Sequence, residues 1–174
     1  MNSLTRHSGV FTVEFAIVAV ALSFLLAFTF DVVAKQSVKG KLDRLSYSAV
    51  NIIKERTQLY KTSPTLVEKD AESVHKILSQ SLIRTMGDFE SSSFTSIFES
   101  NDNPTPFSLG ANDPNCKPVK RVNELAATLA PVTSFDRQAS LYQVTLCYKV
   151  QGWTSLFSDK DHILVRSYAV VVGR

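Results

Sequence analysis

Twenty-one consecutive residues, Val10–Phe30, contain no proline, no glycine and a single charged side chain, and this run restricts the fold more than any other stretch of the chain. As an α-helix it would extend roughly 32 Å, close to the hydrocarbon thickness of a bilayer. A secretory signal has a shorter apolar region, about 7–15 residues, ending at a small-x-small site; here Leu22-Ser23-Phe24-Leu25-Leu26 carries the run past Ala19-Val20-Ala21. The one charge is Glu14. A carboxylate within a membrane helix costs about 2.5–3.5 kcal/mol at mid-span, so the sequence predicts a use for it.

With 174 residues in all, the remainder has room for one modest domain. The net charge of +3 is mild, and the basic residues are interspersed with acids instead of lying in a stripe with aromatics, which argues against a nucleic-acid partner. Orientation rests on two features. Arg6 precedes the span, whereas Asp31 and Lys35 cancel beyond it, favouring a cytoplasmic N-terminus. The two cysteines, Cys116 and Cys147, both lie in the C-terminal half without histidines at metal-ligand spacing, and read most simply as one disulfide in an exported domain.

The stretch Ser8-Gly9-Val10-Phe11-Thr12-Val13-Glu14-Phe15 resembles the class III signal of type IV pilins and pseudopilins: a short polar leader ending in glycine, then an apolar helix with Glu at its fifth position. The Glu-Phe step resembles the tight-adherence (Tad, or Flp) branch, in which an aromatic follows that Glu. Val10 departs from the Phe that many type IV pilins carry at the first mature position. The resemblance implies that a prepilin peptidase cuts after Gly9, leaving Val10 as the mature N-terminus, and that Glu14 pairs with the terminal amine of a neighbouring subunit and so sets register during assembly. A paired charge in the membrane is far cheaper than a lone one. By length the chain is similar to TadE-like and TadF-like minor pseudopilins, and the segments Leu141–Tyr148 and Val170–Arg174 look more like the TadF-like ones. Its implied partners are the prepilin peptidase, other Tad/Flp pilins and pseudopilins, the inner-membrane Tad assembly platform and membrane lipid.

Past Asp31 the helical pattern continues through Val38, Leu42, Leu45, Ala49, Ile52 and Leu59, predicting one unbroken helix to Tyr60 or Lys61. Gly40 lies inside it and needs no special explanation. Thr62-Ser63-Pro64 signals the start of a second helix near 64–86, with Leu66, Ala71, Val74, Leu78 and Leu82 as its apolar side and Gly87 after its end. Turn-rich sequence follows to Pro118, with short strands at Phe94–Phe98 and Phe107–Leu109. Leu141–Val150 and His162–Val172, rich in β-branched and aromatic residues, predict an antiparallel pair joined by a long loop around Trp153, and Glu124–Leu129 a short helical turn. The fold class is therefore α+β: a leader at 1–9, a transmembrane helix continuing as a stem over 10–61, and a small head at 62–174 containing an antiparallel sheet.

No nucleophile elbow, glycine-rich phosphate loop or metal-ligand spacing occurs, so no enzyme, metal or cofactor is expected. His7, His75 and His162 read as surface residues, Trp153 as a buried brace for the hairpin, and Asp159-Lys160-Asp161 as a solvated turn, because the closing Glu and further oxygen ligands of a calcium loop are missing. The expected function is that of a minor pseudopilin which initiates or assembles an adherence pilus from the inner membrane. The alternative is an uncleaved anchored protein whose exported head binds a ligand or polysaccharide.

Overall fold

A computed structural model describes residues 7–60, 65–132, 136, 138–151 and 162–173. Helix α1, His7–Tyr60, runs unbroken for 54 residues, about 80 Å. It continues through Gly40, where an added Cβ would meet nothing within 4 Å, so that glycine serves no close contact. The helix divides by environment: Phe11–Phe30 is almost wholly exposed, whereas Leu42, Ser46, Ala49, Val50, Ile53 and Arg56 are buried against the head.

That seam corrects the predicted stripe at one position. Ile52 is 41% exposed and Ile53 takes its place in the core. At 100° per residue Ile53 points within about 20° of Leu42, whereas Ile52 lies about 80° away. Leu59 has its side chain outside the described residues.

Helix α2, Glu68–Thr85, begins later than the predicted 64–86. Its N-cap is Val67, which has no side chain to offer the first turn; Glu68 and Asp70 instead place negative charge beside the exposed N–H groups. The predicted capping residues Thr62-Ser63-Pro64 lie outside the described residues. Ala71, Val74, Leu78 and Leu82 form the buried side as expected, and Leu66 is buried just ahead of the helix.

Four strands follow: β1 Phe94–Ser100, β2 Asn103–Gly110, β3 Leu141–Val150 and β4 Ile163–Val172, with helix α3, Val122–Leu129, between β2 and β3. They form one antiparallel sheet in the order β2-β1-β3-β4. The two short predicted strands are longer than the sequence suggested, because β1 and β2 make a hairpin whose pairing runs on to Ser100↔Asn103 past a bulge. A single 3-10 turn, Ser91–Ser93, leads into β1.

Alternation along the strands defines two faces. Phe94 and Phe98 of β1, with Val144, Leu146 and Tyr148 of β3, pack on Leu42, Val50 and Ile53 of α1 and on Leu78 and Leu82 of α2. The opposite face carries Ile97 and Cys147, covered by Cys116, and Leu141, covered by Val122 and Ala126 of α3. Residues 111–121 therefore act as a strap over the side away from the stem. The strap starts at Gly110, whose φ is +97° and where a Cβ would stand 2.3 Å from the Phe94 carbonyl oxygen, leaving glycine as the residue that fits. The result is the expected α+β class, a long apolar helix laid on a four-stranded antiparallel sheet.

Candidate functional site

The residues singled out at the N-terminal end share the first turns of α1. The helix begins at His7, three residues ahead of the predicted boundary, and so already includes Gly9 and Val10. Val10 and Glu14 are one turn apart, about 6 Å along the axis and close to the same face. Glu14 is exposed, and beside it Phe15 is 66% exposed. Phe11, Val13, Ile17, Phe24 and Phe30 are exposed too, on every side of the helix. A soluble helix keeps its apolar side chains on one face, so an all-round apolar surface of this length demands an apolar medium or the apolar helices of other proteins. This is one helix long and apolar enough to cross a membrane, as an anchor or a signal would be.

Where the apolar span ends, Lys35 forms an ion pair with Asp31 one turn earlier. Further along, polar side chains fasten the stem to the head. The hydroxyls of Ser46 and Ser167 are 3.1 Å apart and buried, and Ser167 donates to Asp43 Oδ1 at 2.5 Å. Arg56, buried near the end of α1, pairs with Asp70 in the first turn of α2. Lys41 donates to the Thr85 carbonyl at the far end of α2, so α2 is held to the stem at both ends.

Cys116 and Cys147 are joined by a disulfide, with Cα atoms 5.9 Å apart, which ties the strap to the central strand β3. Asp113 reinforces the strap. It accepts from the Asn115 N–H and pairs with Lys149 at 3.1 Å, and these bonds, the backbone one foremost, hold its carboxyl below the usual carboxylate range. Glu99 on β1 has the opposite displacement: burial pushes its carboxyl up, against the pull of Arg121 at 3.5 Å and the Val122 N–H.

His75 corrects the expectation of a surface histidine. It is half-buried in α2, stacked on Phe94 with ring centroids 5.4 Å apart, and its Nδ1 lies 2.7 Å from the Ser96 hydroxyl. Burial lowers its proton affinity. His162 is exposed as expected, while the side chain of His7 lies outside the described residues, as do Trp153 and Asp159-Lys160-Asp161. Sequence reasoning missed the Ser46–Ser167–Asp43 cluster, the Arg56–Asp70 link and Glu99. A usable signal existed for Glu99: Thr95, Ser96, Glu99 and Ser100 are polar within a short strand whose aromatics mark it as central, so some had to find partners inside.

A family model described as "TadF: Putative tight adherence pilin protein F" matches residues 2–174. No curated protein and no solved structure matches the chain.

Proposed function

The chain belongs to the TadF family of tight adherence pilins, and from that membership we propose that it is a minor pseudopilin which initiates or assembles a Tad/Flp pilus used for surface adherence. The observation that carries this reading is the contrast within α1: a span apolar on all sides and unburied by its own chain, continuous with a half buried in a fixed head. Lipid covers such a span before assembly, and the corresponding helices of other Tad pilins cover it afterwards. The role is structural, not catalytic.

In this reading a prepilin peptidase removes residues 1–9 on the cytoplasmic side. Gly9 suits a protease subsite that needs an unhindered backbone. Val10 becomes the N-terminus, and Glu14 accepts the amine of an adjoining subunit, with Phe15 beside it as a packing surface. Within one chain Glu14 stands a full turn from Val10, so pairing between subunits sets an axial stagger. The head lies outside the cytoplasm, where the Cys116–Cys147 bond persists, and the inner-membrane Tad platform is the partner that receives the cytoplasmic end.

Intact-mass analysis of the membrane protein from its native host tests the proposal. The expected chain begins at Val10, and it begins at Met1 when the prepilin peptidase is deleted. A full Met1–Arg174 chain in the presence of the peptidase overturns the pseudopilin reading and favours an uncleaved anchor.

A further inference from the structure

On the strap side of the sheet, Glu99 of β1 and Gln143 of β3 stand directly opposite each other in the register. Cβ atoms of such pairs lie about 4.5–5.5 Å apart. Both residues are buried, Glu99 at 5% and Gln143 at 1% exposure. Among the described residues, Glu99 Oε2 and Gln143 Oε1 each lack a hydrogen-bond partner. The other end of the Gln143 amide is spoken for, since Nε2 donates to the Lys120 carbonyl at 3.0 Å. Two buried acceptors without donors on neighbouring strands form an incomplete arrangement, because each leaves its desolvation uncompensated.

One hydrogen completes it. We infer that Glu99 and Gln143 form a proton-operated clasp, in which the neutral carboxyl donates Oε2–H to Gln143 Oε1 and the ionised carboxylate instead holds Arg121 and the start of α3. The proton comes from water and returns to it; no other bond is made or broken. In the ionised state the carboxylate faces Arg121 Nε at 3.5 Å, a long single contact from a side chain that is 59% exposed, and accepts from the Val122 N–H in the first turn of α3. In the neutral state Arg121 loses its counter-charge and the first turn of α3 loses its anionic acceptor. α3 is the lid over Leu141, and Leu129 and Val132 at its far end are exposed. On the proposed topology, acidity outside the cytoplasm would thereby loosen one edge of the head surface.

The charges around Glu99 do not contradict this. From the strap side come Arg121, which already contacts it, Lys117, and Asp113, which is committed to Lys149 of β3. From β4, Arg166 is committed to the Lys117 carbonyl at 2.5 Å. Gln143 is the directly opposed group, and it is neutral. Burial favours the protonated form, consistent with the upward displacement of the Glu99 carboxyl.

The test uses the full chain in detergent micelles with 13C-labelled glutamate, following carboxyl chemical shifts and amide exchange against pH. The resonance lost in Glu99→Gln should titrate above the ordinary glutamate range, and exchange of the Val122 amide should quicken at least fivefold, beyond the intrinsic pH effect, as that resonance becomes protonated. Gln143→Met keeps the site dry but removes the acceptor, and should cost Glu99 about tenfold in proton affinity. Ordinary titration of Glu99 in the wild type overturns the inference. So does unchanged affinity in Gln143→Met, which would leave burial alone as the cause, and so does Val122 exchange that ignores the Glu99 titration.

Discussion

The hydroxyl oxygens of Ser46 and Ser167 lie 3.1 Å apart in the interior, one on the stem helix and the other on the last strand of the sheet. With Asp43 accepting from Ser167 at 2.5 Å, they form a polar rivet through an otherwise apolar interface. Ser167→Val should remove the donor to Asp43 Oδ1 and the contact with Ser46, whose hydroxyl keeps its bond to the Asp43 carbonyl, lowering stability by about 1–3 kcal/mol. Urea unfolding in detergent measures this. A midpoint equal to that of the wild type would mean that the rivet contributes nothing.

Glu14→Gln separates assembly from insertion. The amide keeps the shape but cannot offset the positive charge of a neighbour's N-terminus, so membrane level and cleavage after Gly9 should be unchanged. Co-purification with other Tad pilins and surface adherence should fall. Expressing the variant as the sole copy and measuring all four quantities checks it; normal adherence at a normal protein level would reduce Glu14 to a side chain reaching for the interface.

Replacing both Cys116 and Cys147 by serine opens a loop of sequence separation 31. The chain-entropy estimate for such a loop is roughly 3–4 kcal/mol, a large share of the stability of a small head. The double variant should unfold at markedly lower urea concentration, and unreduced, unfolded wild type should resist alkylation. Ready alkylation of both thiols in that sample would show that the bond does not form in the cell.

His75 sets a pH dependence whose sign follows from its burial. Its folded proton affinity is lower than in the unfolded chain, so the unfolded state binds the proton first. The contribution of His75 is thus fully present above the unfolded value near 6.5 and is lost as pH falls below it. His75→Gln, which can still reach Ser96, should flatten this part of the stability profile. An unaltered slope between about pH 6.5 and pH 5 would assign the loss to other groups.

Much of the architecture was legible because it is written in periodicity. β3 was located to the residue, and the end of α1 and the apolar side of α2 within a turn, since Leu42, Val74, Leu78 and the Leu141–Val150 run each obey one period. Spacing by threes and fours does not separate Ile52 from the equally apolar Ile53, and only the sheet decides which of two adjacent isoleucines is covered. The short strands were underestimated because Ser, Thr and Asn at their ends look like turns until the pairing partner is known. At the proposed assembly site, Gly9, Val10, Glu14 and Phe15 were legible as a local motif. The fastening of stem to head was not, because Ser46 and Ser167 meet across 121 positions and no local pattern announces a distant partner.

That distance bears on how the protein is made. Leu42, Ala49, Val50 and Ile53 emerge early from the ribosome, but much of the surface that buries them belongs to β3 and to β4, the last element in chain order. In the proposed topology, the lower stem remains a bare amphipathic helix until β4 has crossed the membrane. Folding of the head is then a late, long-range event of the slow kind, and a chain halted before Ile163 would present an apolar stem lacking much of its cover.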